Sequence, residues 1–171
     1  MAESLASVYD GWEGYNRSLM NAVEPLTEQQ LAFRLHPEMQ PVGELALHIA
    51  DGRIVWFERL HAPLTEELRA KMDTRAAKPS TGPELAAWLG ETYRIVDGLL
   101  TKWSVADLPE TYEQAYQGKV YAVSRQWVIF RMLAHDIHHG GQLSELLGAQ
   151  GIFPQELTWL GGHLTEPPVI R

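Results

Sequence analysis

The sequence predicts an all-α protein, a four-helix bundle with a small β-ribbon before its last helix, on three observations. Apolar residues recur at three- and four-residue spacing through most of the chain. Proline, glycine and polar clusters fall between those periodic segments rather than inside them. The segments are four, they are long, and connections of unequal length join them, which is the pattern of a bundle that builds its sites from side chains on facing helices.

The first helix is expected from about Glu3 to Val23, with Leu5, Val8, Trp12, Tyr15 and Leu19 along one stripe and Pro25 ending it. A short helical turn follows at Thr27 to Arg34, where Thr27 can cap the first free N–H groups. Pro41 suits the first turn of the second helix, because its missing N–H costs nothing there. That helix carries Leu45, His48, Gly52, Val55 and Trp56 on one face, read as its buried side, and ends near His61 and Pro63. Glu66 to Ser80 is charged and ends in proline, so it reads as a loop with at most one helical turn. The third helix opens at Thr81-Gly82-Pro83-Glu84, a capping-box pattern, and runs to about Trp103 with Leu85, Leu89, Tyr93, Val96 and Leu100 inward. Between Pro109 and Ala122 the period changes to alternation (Tyr112, Gln114, Tyr116, then Val120), with Gln117-Gly118 as a turn, hence the β-ribbon. Ser124 caps the last helix, whose periodicity runs through Trp127, Phe130, Leu133, Ile137 and Leu147 and stops at Gly151 before Pro154. The tail beyond reads as irregular. No repeat or linker divides the chain, so residues 1–171 are expected to form one domain.

Composition narrows the function. With 45% hydrophobic residues in 171, the chain can close a core without staples, and the absence of cysteine excludes a disulfide scaffold, a Cys-ligated metal site and a cysteine nucleophile. Any metal must be held by histidine or carboxylate. A net charge of -8 disfavours a nucleic-acid partner. The start of the chain lacks a basic, apolar leader and no stretch is long enough to span a bilayer, so no membrane partner and a cytoplasmic location are expected.

The seven histidines are His36, His48, His61, His135, His138, His139 and His163. At 100° per residue, His139 lies about 40° from His135 around the helix and His138 about 60° to the other side, so on spacing alone either could share a metal with His135. The stripe through His135 and His139 also holds Val128, Met132, Gln142, Leu143 and Leu146, which marks it as core-facing, with His138 nearer its edge. His61 is about 220° around the second helix from His48 and points elsewhere. A lone histidine on an apolar face is more often a hydrogen-bonded core residue than a ligand, but three on facing stripes are more cheaply satisfied by one divalent ion, to which each ring gives one nitrogen. Such an ion keeps an open position. Asp51 and Asp136 lie near these stripes, where each could orient a ligating ring or simply be solvated. Gln142, one turn past His139, reads as structural or as a ligand contact, and Trp56 and Trp127 read as packing. Glu-x-x-His occurs once, at Glu58 and His61, and not on two helices, which disfavours di-iron chemistry.

In the segment ELALHIADGRIVWF and in the H-x-x-x-H-x-G-Q pattern of His135, His139, Gly141 and Gln142, the chain resembles the DinB/YfiT-like family of four-helix-bundle metalloenzymes. The resemblance implies a metal held by His48, His135 and His139, with no ligand role for His138. The family often has a basic residue after the second histidine of the pair, where this chain has Gly140, so a substrate contact made there is not expected. Members with known activity include transferases that join bacillithiol-type thiols to electrophiles. The resemblance therefore implies one divalent ion, zinc or nickel, a low-molecular-weight thiol cosubstrate and a small-molecule substrate, with a homodimer as an option; the pocket is expected at one bundle end, near His138, Gln142 and the tail from Trp159 to His163. The rival reading is a three-histidine bundle that binds metal without turnover, or hydrolyses.

Overall fold

A computed structural model of the chain describes residues 4–75 and 77–159. Among them are seven α-helices and one two-stranded sheet: α1 (Gly11–Val23), α2 (Glu28–Leu31), α3 (Val42–Phe57), α4 (Thr65–Thr74), α5 (Gly82–Lys102), β1 (Thr111–Tyr116), β2 (Lys119–Ser124), α6 (Arg125–Gly148) and α7 (Gln155–Trp159). The long helices α1, α3, α5 and α6 form the bundle, in which α5 packs on α1 and α3, and α3 packs on α6. A hydrophobic cluster drawn from all four fills the middle, with Leu19, Ile49, Ile54, Leu89, Ile95, Leu99 and Ile129 fully buried. Among the described residues no helix is long and apolar enough to cross a membrane.

The sequence signals act where they stand. Thr27 and Thr81 each accept a hydrogen bond from the backbone N–H three residues on, and Gln30 and Glu84 reach back to the cap, so α2 and α5 both begin in capping boxes. Ser124 accepts from the Trp127 N–H at the start of α6. β1 and β2 pair antiparallel from Thr111 opposite Ser124 to Tyr116 opposite Lys119. The two-residue turn between them puts Gln117 at φ 49° and Gly118 at φ 74°, the paired positive angles that match the twist of a hairpin.

Four expectations are corrected. The first helix begins at Gly11, not near Glu3. Leu5–Ser7 forms a separate 3-10 turn, because the Leu5 N–H donates to the Trp103 carbonyl (2.9 Å) and pins the chain to the end of α5, leaving Val8 exposed. Residues 65–74, expected as a loop, form α4: Glu66 and Glu67 sit in its first turn and Lys71 in its last, where each suits the helix dipole, and Leu68 buries a single apolar anchor. The tail contains α7, which buries Leu157. On α6 two stripes compete in the sequence, and the core takes Val128, Ile129, Met132, Leu143, Leu146 and Leu147 while Trp127, Phe130 and Ile137 are exposed.

A polar knot ties the four bundle helices together. Arg53 on α3 and Asp136 on α6 are both fully buried and paired at 2.8 Å. Arg53 also donates to Asn16 Oδ1 on α1 (2.8 Å) and to the Leu89 carbonyl on α5 (2.9 Å), and Trp12 Nε1 donates to Asp136 (2.9 Å). Burial alone would raise the Asp136 carboxyl; the Arg53 guanidinium, with the Trp12 donor, outweighs it and holds the group below the usual carboxylate range.

Candidate metal centre

Two ridges of four-residue spacing meet where α3 crosses α6: His48, Gly52 and Trp56 on one helix, and Trp127, Arg131, His135 and His139 on the other. The helices come close because residue 52 has no side chain. A Cβ there would lie 2.8 Å from His135 Cε1, inside contact distance. The close approach brings His48 against both α6 histidines, with ring centroids 4.9 Å from His135 and 4.7 Å from His139, while His135 and His139 are 4.4 Å apart. One nitrogen from each of the three lies within 4.8 Å of the others, a group that could hold a metal ion.

His48 Nε2 and His135 Nε2 are 3.1 Å apart. The third ring is oriented by Gln142, whose Oε1 accepts from His139 Nδ1 at 2.7 Å and so leaves the His139 Nε2 lone pair free. Burial pushes His48 below its ordinary value, with His135 adding to the shift. Burial likewise lowers His139, against the opposing Gln142 hydrogen bond and with help from the neighbouring histidines. Both are thus held neutral near pH 7, the form in which imidazole ligates. Among the described residues His135 Nδ1 and Asp136 Oδ1 are buried without hydrogen-bond partners and face each other at 3.7 Å. Among the described residues the donor set is three imidazoles and no carboxylate, which fits zinc, nickel, copper or iron far better than magnesium or calcium. The residues present fit the group.

His48 is exposed and His135 and His139 are half-buried, so the stripe read as the buried side of the second helix is the margin of the core and the centre is reached from solvent. His138 is exposed, its ring 4.9 Å from that of His139, at the rim of the cluster rather than in it. His61 takes a left-handed conformation at φ 50° and lines a separate hollow beside Glu66 and Glu67. His36 accepts from the Glu38 N–H, and His163 lies outside the described residues. Asp51 serves another interaction: Trp88 Nε1 donates to it at 2.8 Å and Arg75 pairs with it at 3.2 Å. Gly140 is buried against α1, where a Cβ would lie 2.0 Å from the Tyr15 hydroxyl, so a basic side chain has no room at that position.

Sequence reasoning missed Gly52 as a spacer, Arg53 as the partner of Asp136, and the cavity beside the histidines. The pocket was expected at the end of the bundle near His138, Gln142 and Trp159 to His163, of which residues 160–163 lie outside the described residues. A cavity of about 640 Å³ opens toward the N-terminus of α6, between Trp56, Trp127 and Arg131 and the β-ribbon. Trp56 and Trp127, read as packing, form its wall, with ring centroids 5.6 Å apart. The four-residue run Trp127, Arg131, His135, His139 was the available signal.

No curated protein matches the sequence. Among solved structures, a DinB-like protein of Bacillus subtilis is similar over 85% of this chain and 92% of its own, at 13% identity and a TM-score of 0.60. A DinB-like protein of Bacillus cereus is similar over 88% of this chain and 95% of its own, at 18% identity and a TM-score of 0.56. At such identities the likeness is one of fold. A family model described as the DinB superfamily matches residues 13–143, a span that holds the four bundle helices nearly entire and the histidine cluster with them. By that match the chain belongs to the DinB superfamily.

Proposed function

We propose that the chain binds one divalent ion, zinc or nickel, through His48, His135 and His139, and uses it to activate a bacillithiol-type low-molecular-weight thiol for attack on an electrophile. The observation that carries this reading is the convergence of three imidazoles, from two helices, at a margin open to solvent. When bound, the ion would supply Lewis acidity undiminished by anionic protein ligands, which lowers the pKa of a thiol. The chain has no cysteine, so the sulfur must come with a cosubstrate. The reaction class is S-transfer: the thiol proton passes to solvent, a C–S bond forms, and the leaving group departs with the bonding pair. His139, fixed by Gln142, and His135, fixed by its packing against Gly52, keep their nitrogens aimed at one point, so little ordering remains to be done on binding.

Metal content of the purified protein and of H48A, H135A, H139A and H61A tests the site. One ion per chain is expected in the wild type and H61A, and loss in the other three. A stoichiometric ion retained in any of those three, or lost in H61A, overturns the assignment. Titration of the cobalt-substituted protein with small thiols tests the chemistry, since thiolate ligation adds a sulfur-to-metal charge-transfer band. Absence of that band with every thiol would leave a metal-binding bundle that does not use sulfur.

A further inference from the structure

The cavity between the two tryptophans and the β-ribbon holds an unusual balance of groups. Its walls are aromatic: Trp56 and Trp127 on the helix side, Tyr116 and Tyr121 on the ribbon side. Among the described residues no aspartate or glutamate lines it. In a chain of net charge -8 that carries 22 acidic residues, a cavity free of them and bordered by cations stands apart from the rest of the surface. One cation is Arg131, whose guanidinium lies 5.5 Å from the Trp56 ring centroid and 5.7 Å from that of Trp127, and which makes no ion pair or hydrogen bond among the described residues. The second is Arg59, which stands behind the lining, 4.5 Å from the Trp56 ring centroid and anchored by donating to Gln114 Oε1 at 2.9 Å. The cation–π contacts hold the Arg131 head beside the two rings, and its N–H groups stay available to a ligand.

We propose that this cavity is the site of the electrophilic substrate, and that the substrate is an amphipathic monoanion: a flat apolar or aryl body carrying a carboxylate. The body stacks against Trp56 and Trp127 and is covered by the ribbon. The carboxylate accepts from Arg131, with Arg59 adding to the positive field. A cationic or quaternary ammonium ligand, which an aromatic enclosure alone would suit, is opposed by both guanidinium groups and finds no carboxylate to pair with. Order along α6 fixes the orientation. Arg131 stands one helical turn, about 6 Å, from His135, with Trp127 one turn to the other side, so the anionic end of the substrate faces the histidines and the body points away from them. The carbon that reacts is then at or next to the carboxylate-bearing position. That last step rests on the three-histidine cluster being the reactive centre; the recognition of the monoanion does not.

Equilibrium dialysis with three probes of one shape separates the two: 2-naphthoate, the neutral 2-naphthylmethanol, and the cationic (2-naphthylmethyl)trimethylammonium. Each is measured on the metal-loaded full chain, on the chelator-treated chain, and on H48A, R131Q and R131K. The naphthoate is expected to bind about tenfold or more tightly than the alcohol, and the cation weakest, in every form that keeps Arg131. R131Q should bring the naphthoate and the alcohol level, and R131K should keep part of the preference, with unchanged far-UV helicity, since residue 131 is exposed and removes nothing from the core. Equal binding of the three probes, preference for the cation, or no binding of any of them overturns the proposal. So does a naphthoate preference that disappears with the metal, because the ion and not Arg131 would then be reading the carboxylate. A preference that survives in a chain found to hold no metal sustains the pocket while sinking the metal centre.

Discussion

At the scale of single residues, Gly52 sets how closely α3 and α6 meet at the histidines. G52A should push His135 out of line and lower metal affinity about 10- to 100-fold, measured by competition with a chromogenic chelator, while the chain stays helical. Q142L should have a smaller effect of the same sign, since it frees the His139 ring to turn. The lowered pKa values of His48 and His139 give a pH dependence with a definite sign. Their neutral forms are favoured by the fold, so the stability they contribute in the metal-free chain is complete above the ordinary value of 6.5 and is lost as pH falls through the lower folded values. The urea midpoint of the chelated protein should therefore drop between pH 7.5 and 5.5, and H48A/H139A should flatten that drop; an unchanged slope in the double variant would remove the two histidines as its cause. The ligands were legible because a helix repeats its faces and histidine is scarce. Gly52 was not, because a missing side chain acts only through the helix that packs on it.

Between elements, the Arg53–Asp136 knot decides how the four bundle helices sit on one another. Neither residue can be lost alone at small cost, because the remaining charge is left in the core. R53M should destabilise the fold by about 3–5 kcal/mol, read as a fall in the urea midpoint at unchanged slope. A well-packed replacement of both partners should recover much of that loss. Sequence periodicity placed α5, the ribbon and α6 within a few residues, since capping boxes and the Gln117-Gly118 turn are local signals. It failed for α4, whose helix rests on terminal charges and one buried leucine rather than on an apolar stripe. It also could not say that Asp136 was paired with Arg53, because 83 residues separate the two.

For the whole molecule, the centre sits at the rim of a core that is built without it. Chelation should lower the melting temperature yet leave one cooperative helical transition, followed by far-UV circular dichroism; a random-coil spectrum in chelator would show that the ion folds the chain. A single transition would also support residues 1–171 as one domain. The β-ribbon carries the furthest consequence. It supplies one wall of the cavity, yet its two strands are mostly solvent-exposed, and none of its residues contributes to the polar knot or to the histidine cluster. Mutations there can reshape what the cavity admits while leaving the folding free energy and the histidine cluster almost untouched. Bundle and ribbon are in that sense separately evolvable: lineages could exchange one wall and change what the cavity accepts without re-solving the problem of holding four helices together.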